Sequence, residues 1–357
     1  MVKENPILGI IGGGQLGSML ATAAKKLNIK TIVLSDDSEA PAKNFCDELI
    51  ISDYNKVKNI EEFANKVDVV TFEFENIPVK TLEHIAKFKS VLPNPAVNQT
   101  VQNRFAEKTF IKNIAGVFNE LEIKIANYAL IKEKSDILKN THLLPGILKT
   151  CTMGYDGKGQ FIINNKEEIN KLEIDFNKEY VLEKKINLKK EISVIVTRFS
   201  NNECLIYEPF ENYHINQILN KSFIPADITK DIFEKAQQQA KLIAEKLNYI
   251  GTMCVEYFID KNNNLLINEI APRVHNSGHL TINAYNVSQF ENHIRAVCNF
   301  ELIELKKLFN AEMINIIGED IKIYRKKSYT KNEFFTDYLK QEIKEKRKMG
   351  HLTIIKQ

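Results

Sequence analysis

The sequence has few cysteines, and they are widely spaced. The five cysteines occupy positions 46, 151, 204, 254 and 298. Zinc knuckles, CxxC redox pairs and disulfide frameworks need regularly or closely spaced cysteines, so this spacing excludes them. Long apolar runs are also lacking near the start, where the first is only Ile7–Ile11. A signal peptide or membrane span needs a longer run, and we therefore expect a cytoplasmic protein with no membrane partner.

An excess of one charge sign is lacking as well. Lysine and arginine total 49 against 46 acidic residues, a formal net charge of +3. Nucleic-acid-binding proteins usually carry a larger and more clustered positive charge, so we expect no nucleic-acid partner. With 357 residues, 44% of them hydrophobic, the chain is long enough for two or three packed units of a globular protein.

The first hundred residues alternate between strand-like and helix-like segments. Alternation of this kind is typical of an α/β unit with a parallel, doubly wound sheet. Prolines at 93 and 95 then break the pattern, and the rest of the chain mixes α and β elements. The clearest predicted segments are the strands Ile7–Ile11, Thr31–Leu34 and Val67–Phe74, and the helices Leu16–Leu27, Val79–Lys87, Gln99–Gly116 and Thr229–Leu247.

A first glycine loop, Gly12–Gly17, follows the first strand and opens a helix. It fits the G-x-G-x-x-G pattern, in which backbone amides at a helix N-terminus favour a phosphate. Asp36 and Asp37 follow where a ribose-binding acid would lie in a dinucleotide enzyme. Taken alone, the loop supports an NAD-dependent oxidoreductase. The alternative is a tight turn needed only for packing, and we favour phosphate binding.

A second glycine loop, Gly154–Gln160, follows a predicted strand that ends at Lys149. A simple NAD dehydrogenase has no use for a second loop, and the spacing differs from the Walker pattern. We predict a flap whose amides close over a polyphosphate, with Lys149 and Lys158 supplying positive charge. A hairpin turn at Asp156–Gly157 is the alternative, and a hairpin can itself be the flap.

Two carboxylates are predicted to face each other farther along the chain. Two strand-like runs are joined by residues 261–264, and a four-residue turn would pair Asp260 with Leu265. Glu256 then lies opposite Glu269, with both side chains on one face of the sheet. Like charges directly opposed are destabilising, so this arrangement implies a bound cation.

The predicted cation is Mg²⁺, which prefers oxygen ligands and bridges carboxylates to nucleotide phosphates. Asn268 could add a neutral oxygen beside Glu269. A register shifted by one residue would place one carboxylate in solvent and remove the argument. We favour the metal site because Val255, Ile267 and Ile270, which flank the acids, have the character of buried residues.

The segment Arg273–His279 follows the second acidic strand and contains one arginine, two histidines, an asparagine and a serine. His275 and His279 have helical spacing, but the segment lacks the glutamate of HExxH and contains Ser-Gly, which argues against zinc. Its polar side chains suit binding of a small anion and proton transfer.

These motifs together resemble the N5-carboxyaminoimidazole ribonucleotide synthases, a family of ATP-grasp enzymes. The resemblance extends from about Ile7 to His351, and the segment 268–279 is its most specific part. The motifs occur in the order Gly-Gly-Gln-Leu-Gly (13–17), Thr-Phe-Glu-Phe-Glu-Asn-Ile-Pro (71–78), Gly-Tyr-Asp-Gly-Lys-Gly-Gln (154–160), Asn-Glu-Ile-Ala-Pro-Arg-Val-His-Asn-Ser-Gly-His (268–279) and Arg-Lys-Met-Gly-His (347–351).

The resemblance implies an ATP-grasp fold of mixed α/β and α+β class. We expect a Rossmann-like pre-ATP-grasp domain at 1–98 and an ATP-grasp domain at 99–298, with a lid at about 117–182. A small C-terminal region at 299–357 would complete the substrate site. The family likeness also suggests a homodimer.

The implied reaction joins 5-aminoimidazole ribonucleotide and bicarbonate at the expense of ATP, through carboxyphosphate, in purine biosynthesis. Glu256 and Glu269 match the family's Mg²⁺ ligands, and Arg273, His275 and Asn276 are the candidates for holding bicarbonate or carboxyphosphate. The implied ATP-binding residues are Arg104, Lys149, Gly154, Tyr155, Asp156, Gly157, Lys158, Gly159, Gln160, Glu183, Lys184, Lys185, Ile186, Glu191, His214, Asn268 and Glu269. The implied ribonucleotide contacts are Gly14, Gln15, Leu16, Glu75, Tyr155, Lys158, Arg347 and Lys348.

Two positions depart from the family pattern. Ser18 and Lys158 stand where the family commonly has arginine. Ser18 therefore lacks a positive charge, and Lys158 lacks the guanidinium group that can donate two parallel hydrogen bonds to a phosphate or carboxylate. We expect altered substrate affinity rather than lost activity.

The alternatives to this function are another ATP-grasp ligase, such as a formate-dependent glycinamide ribonucleotide transformylase or a biotin carboxylase-like subunit, and a non-catalytic nucleotide-binding regulator.

Overall fold

The N-terminal part of the chain forms a parallel β-sheet. The structure is a computed structural model that describes residues 5–154 and 158–356. The strand order is β3-β2-β1-β4-β5, which leaves β1 and β4 side by side. The strands are β1 (Leu8–Ile11), β2 (Thr31–Ser35), β3 (Glu48–Ile51), β4 (Val69–Phe72) and β5 (Ser90–Val91), and the helices between them are α1 (Gln15–Lys26), α2 (Val57–Lys66) and α3 (Val79–Ile85).

Helices cover both faces of this sheet. Leu8 and Ile10 pack with the apolar side of α1, whereas the adjacent Ile11 packs on the opposite face with residues of α2 and α3. Strands buried on both sides in this way read as continuous apolar runs. The predicted parallel, doubly wound arrangement is confirmed, and the prolines after β5 mark its end.

Two helices then lead away from the first sheet, α4 (Pro95–Val101) and α5 (Arg104–Val117). The sequence predicted one helix over Gln99–Gly116, and this prediction is wrong. The side chain of Asn103 accepts hydrogen bonds from the amides of Phe105 and Ala106, so it begins a new helix instead of continuing the first.

A small antiparallel sheet follows, with strand order β6-β9-β7-β8. Its strands β7 and β8 pair directly, so residues 151–159 connect two antiparallel strands, as a hairpin flap requires. Tyr155 and the predicted turn at Asp156–Gly157 lie outside the described residues. The elements of this part are β6 (Tyr128–Ile131), α6 (Lys134–Lys139), β7 (Gly146–Thr150), β8 (Gln160–Ile163), α7 (Lys166–Asn170) and β9 (Tyr180–Lys184).

The remaining strands form a large sheet in the order β15-β14-β10-β12-β13-β16-β18-β17, with β11 beside β10. Because β16 pairs with β13, the C-terminal strands extend this sheet. The strands are β10 (Leu188–Arg198), β11 (Cys204–Ile206), β12 (Phe210–Ile215), β13 (Ile218–Ile224), β14 (Gly251–Asp260), β15 (Leu265–Ala271), β16 (Asn310–Ile317), β17 (Glu333–Asp337) and β18 (Lys348–Lys356).

One face of the large sheet is apolar and packs against α8, and this leaves the other face of β14 and β15 for polar side chains. Helix α8 begins after Thr229, whose side chain caps it, and its stripe from Ile232 to Ile243 packs on this face. The remaining helices are α8 (Lys230–Lys246), α9 (Thr281–Ala284), α10 (Gln289–Val297) and α11 (Ile321–Tyr324). Within the described part of the chain, no helix has the length and apolar character needed to cross a membrane.

Candidate active site

Glu256 and Glu269 face each other across β14 and β15, but the register differs from the predicted one. The predicted turn pairs Asp260 with Leu265, whereas in the structure the residue before Asp260 pairs with Leu265. A regular ladder from that pair would place Glu256 opposite Asn268. A β-bulge adds one residue at Asn268, and this extra residue brings Glu269 opposite Glu256.

The bulge also decides which face of the sheet carries Glu269. Leu265 and Ile267 lie before the bulge and point into the apolar core, and Ile270 after it does the same. Because side chains alternate along a strand, Glu269 in a regular ladder would follow Leu265 and Ile267 into that core. The bulge instead places it on the polar face, beside Glu256.

Each carboxylate has a partner of its own. Nη1 of Arg104, at the start of α5, lies 2.8 Å from Oε2 of Glu269. Burial alone would raise the pKa of Glu269, but Arg104 and then Lys149 outweigh it and lower that pKa below its usual value. Nε2 of His275 lies 2.9 Å from Oε1 of Glu256. Glu269 is therefore ionised, and both side chains are held in place.

The oxygen atoms at this point fit a magnesium ion. Oδ1 of Asn268 is buried and has no hydrogen-bond partner among the described residues, and Asn268 directly precedes Glu269 in β15. Within 5–154 and 158–356, no cluster of three or more His, Cys, Asp or Glu side chains could hold a metal by itself. Mg²⁺ suits such an incomplete set, because it keeps waters and takes further oxygens from nucleotide phosphates.

A buried cluster of two lysines and a glutamate adjoins the acidic pair. Nζ of Lys149 lies 3.1 Å from Oε2 of Glu183, and Nζ of Lys108 lies 3.3 Å from the same oxygen. Burial raises the pKa of Glu183, but the two lysines outweigh it and lower the pKa. The cluster contains more positive than negative charge, as a polyphosphate site requires. The sequence pattern missed Lys108, which α5 brings in from a distant part of the chain.

The segment Glu183–Ile186, part of the predicted ATP site, lies where the small sheet leads into the large one. Nζ of Lys184 and the amide of Lys185 donate to backbone carbonyls of Leu144 and Pro145, at 2.5 and 3.0 Å. Farther along, His214 forms an ion pair with Glu191. Burial lowers the pKa of His214, but Glu191 outweighs this and the net shift is upwards.

The described ends of the second glycine loop lie beside Arg104. A Cβ built on Gly154 would lie 3.8 Å from a guanidinium nitrogen of Arg104. Gly159 has φ +72°, a conformation that glycine adopts without strain, and its carbonyl accepts from the amide of Thr150 before Gln160 begins β8. The structure therefore brings the Gly154 end of the loop to the Arg104–Glu269 pair.

Arg273 and Glu75 bind each other. The guanidinium donates through Nε to one oxygen of Glu75 and through Nη2 to the other, the latter at 3.2 Å. Burial raises the pKa of Glu75, but Arg273 outweighs it and lowers the pKa. The neighbouring Asn276 is 8% exposed, and both polar atoms of its side chain lack partners among the described residues. These atoms are available to a ligand.

The first glycine loop is occupied by a carboxylate of the protein itself. The amide of Gly14 donates to Glu73, and the amide of Gly17 donates to the other oxygen of Glu73 at 2.6 Å. Glu73 follows β4, whose carboxyl end adjoins that of β1. Two of the amides that the G-x-G-x-x-G pattern assigned to phosphate are therefore already bound, which argues against a dinucleotide site. A contact of Gly14 with the ribonucleotide stays a prediction.

Lys340 is a cation in this region that the sequence pattern missed. Its Nζ donates to Oε1 of Gln15 at 2.8 Å and to the carbonyl of Lys348 at 2.6 Å. It therefore connects the start of α1, next to Leu16, with the start of β18. The side chain of Arg347 instead donates to the backbone carbonyl of Glu342, at 3.0 Å.

Known families match the chain in three consecutive segments. Residues 6–102 match the ribonucleotide synthetase preATP-grasp domain, residues 116–290 the ATP-grasp domain, and residues 311–357 the phosphoribosylaminoimidazole carboxylase C-terminal domain. N5-carboxyaminoimidazole ribonucleotide synthase from Staphylococcus aureus (strain COL) is 39% identical, over 99% of this chain and 94% of that protein. The chain belongs to the N5-carboxyaminoimidazole ribonucleotide synthase family.

Solved structures agree with this membership. The N5-carboxyaminoimidazole synthetase from Staphylococcus aureus complexed with ADP has a TM-score of 0.91 at 37% identity, covering 100% of this chain and 95% of that one. The Aspergillus clavatus enzyme in complex with ADP and 5-aminoimidazole ribonucleotide has a TM-score of 0.89 at 28% identity, covering 99% and 94%. The expected ATP-grasp fold with a pre-ATP-grasp domain is confirmed, and the chain is an ATP-grasp ligase.

Proposed function

We propose that this protein carboxylates 5-aminoimidazole ribonucleotide with bicarbonate and ATP, forming the N5-carboxylated ribonucleotide, ADP and phosphate in purine biosynthesis. The observation that carries the proposal is the pair Glu256 and Glu269, held on one face of the sheet beside Arg104 and Lys149. A metal–nucleotide complex needs acidic oxygens for the metal and cations for the phosphates, and this site offers both.

ATP would lie between the small sheet and the large one. Lys149, Arg104 and the loop 154–160 would contact the phosphates, and Glu183–Ile186 would contact adenine. Glu256, Glu269 and Asn268 would hold Mg²⁺, which when bound neutralises negative charge on the transferred phosphoryl group. Lys108 would keep Glu183 ionised, so that Lys149 stays correctly placed.

Bicarbonate is a poor electrophile and has to be activated. An oxygen of bicarbonate would attack the γ-phosphorus as the bond to ADP breaks, giving carboxyphosphate, which delivers CO₂ to the exocyclic amine and releases phosphate. Arg273, His275 and Asn276 would hold these anions, because Asn276 has polar atoms without partners among the described residues and His275 lies beside Glu256. Glu75 would set the orientation of Arg273 through their bidentate contact.

The ribonucleotide would bind between the start of α1 and the start of β18. Gln15 and Lys348 lie there together, connected by Lys340, which we add to the predicted contacts.

We further propose a cytoplasmic homodimer with units at 1–98, 99–298 and 299–357. Its mass in solution, against 41.0 kDa for one chain, tests the dimer.

ADP release by the purified protein tests the function, with the ribonucleotide and bicarbonate omitted in turn. Release should require both, and Glu256→Gln should abolish it. Asp227→Asn is the matched control, because the Asp227 side chain is 96% exposed and lies outside the site. ADP release that continues undiminished without the ribonucleotide would refute the proposal in favour of another ATP-grasp ligase. ATP binding without any turnover would indicate a regulator.

A further inference from the structure

A buried chain of hydrogen bonds extends from His275 into the large sheet. Nδ1 of His275 lies 2.9 Å from Oγ of Ser277, which accepts from Oγ of Ser193 at 2.8 Å. Ser193 in turn accepts from Nδ2 of Asn212 at 2.9 Å, and Oδ1 of Asn212 accepts from Oγ of Ser222 at 2.8 Å. The serines are fully buried and Asn212 is 5% exposed.

This row of hydrogen bonds starts directly beside Glu256 and Glu269. Ser193 of β10 is the register partner of Glu256 on β14, so both side chains lie on the polar face of the sheet. His275 therefore connects Glu256 through Nε2 with the serines through Nδ1. Burying four hydroxyl and amide groups is costly unless all are satisfied, and this row satisfies nearly all of them with one another.

The contact with Glu256 sets the hydrogen-bond directions, and the contact of Asn212 is consistent with them. The carboxylate of Glu256 can only accept, so Nε2 of a neutral His275 carries the hydrogen. Nδ1 is then an acceptor, and the amide of Ser277 also points at it, at 3.4 Å. Asn212, at the far end, donates to Ser193, the Ser193 hydroxyl donates to Ser277, and the Ser277 hydroxyl hydrogen is left for Nδ1. The buried thiol of Cys254 also contacts both serines. The two ends agree.

We propose that Asn212, Ser193 and Ser277 are positioning residues that hold His275 in the Nε2–H tautomer and aim that N–H at the carboxylate of Glu256. This N–H holds the carboxylate of Glu256 in the orientation that the metal site needs, whereas a bare ring nitrogen would repel it. The effect on turnover rests on the proposed function, but the tautomer itself does not.

A variant that reverses the donor and acceptor roles along this row of hydrogen bonds is the direct test. In Asn212→Asp an oxygen replaces the donating nitrogen, so Ser193 must donate to residue 212 and accept from Ser277. Nδ1 of His275 then faces a lone pair instead of a hydroxyl hydrogen, which favours the Nδ1–H tautomer. Ser277→Ala removes the hydroxyl but keeps the backbone amide, so it should loosen the ring without reversing it.

Nitrogen-15 NMR of histidine-labelled protein at pH 8 without metal reads the tautomer, with His275→Gln assigning the signal. We expect Nε2–H in the wild type and Nδ1–H in Asn212→Asp. Wild-type protein with the hydrogen on Nδ1 would overturn the proposal whatever the enzyme's activity. Loss of ribonucleotide-dependent turnover in the wild type would instead remove the proposed function and leave the tautomer result standing.

Steady-state kinetics supplies the second readout. Both variants should lower kcat about 10- to 100-fold, as is typical when the partners of a site residue are removed, with KM for ATP unchanged within about twofold. Thr197→Val is the control, since Thr197 is an equally buried hydroxyl on β10 that bonds to Thr252 instead. If Asn212→Asp does not fold, Ser277→Ala decides, and a loss in kcat no larger than that of Thr197→Val would overturn the proposal.

Discussion

Acid should destabilise this protein through His293, a buried histidine of α10 that joins the two larger sheets. Nε2 of His293 lies 2.7 Å from Oγ1 of Thr71 in β4, and the amide of Thr252 in β14 donates to Nδ1 at 3.0 Å. His293 is 1% exposed, so a charge on its ring would have almost no water around it. The ring is therefore stable only in its neutral form.

The size of the effect follows from the pKa of His293. Burial lowers it from 6.5 to about 4. Since the folded value lies below the unfolded one, this stability is fully present above pH 6.5 and is lost as the pH falls towards 4. Between pH 7.5 and pH 5.0 the loss is about 2 kcal/mol. For a chain of 357 residues, that corresponds to about 3 °C in melting temperature.

Melting temperatures of the wild type and His293→Gln at the two pH values provide the measurement. Glutamine can replace both hydrogen bonds and does not ionise, so its melting temperature should fall about 3 °C less between pH 7.5 and 5.0. His142→Gln is the control, since His142 is exposed and should leave the pH dependence unchanged. The same fall in wild type and His293→Gln would refute the reasoning, even though other buried histidines add to the total.

Three further changes test other parts of the structure. Glu269→Gln should reduce ADP release about 100-fold or more, because it removes a charged metal ligand. Glu269→Asp should recover part of the release when the Mg²⁺ concentration is raised. Normal ADP release by Glu269→Gln would contradict the metal site. Lys340→Met should raise KM for the ribonucleotide about tenfold and leave KM for ATP unchanged, so equal changes in both would contradict its placement. Gly14→Ala should lower the melting temperature, because the added Cβ would lie 2.6 Å from Oε1 of Glu73. Gly116→Ala is the control and should not lower it, because no atom lies within 4 Å of the added Cβ. Equal effects of the two substitutions would contradict the contact with Glu73.

Local patterns predicted the parts of the fold that depend on local chemistry. Thr229 followed by a stripe of apolar residues predicts the capped helix α8, and the apolar runs near the start predict the parallel sheet. The facing of Glu256 and Glu269 was also predicted, although from an incorrect turn. A bulge has no distinct sequence signal, because Asn268 fits a regular strand as well as an irregular one.

Long-range contacts could not be read from spacing. Glu73 binds the first glycine loop from 59 residues away, so the pattern of the loop alone indicated a free phosphate site. The neighbouring carboxyl ends of β1 and β4 were a usable signal for it, since side chains that follow adjacent parallel strands meet at one edge. Lys108 and Lys340 had no such signal, because they come from a helix and from the C-terminal segment.

The extra residue at Asn268 leaves β15 tolerant of both shortening and substitution at this one position. Removing it would restore an unbroken ladder in which Glu269 directly follows Ile267, so Glu269 would stay opposite Glu256 on the polar face and Ile270 would stay in the apolar core. Replacing it by serine would keep the strand's irregularity. Deletion of Asn268 and its replacement by serine should therefore both leave a folded protein in which Glu256 and Glu269 still face each other.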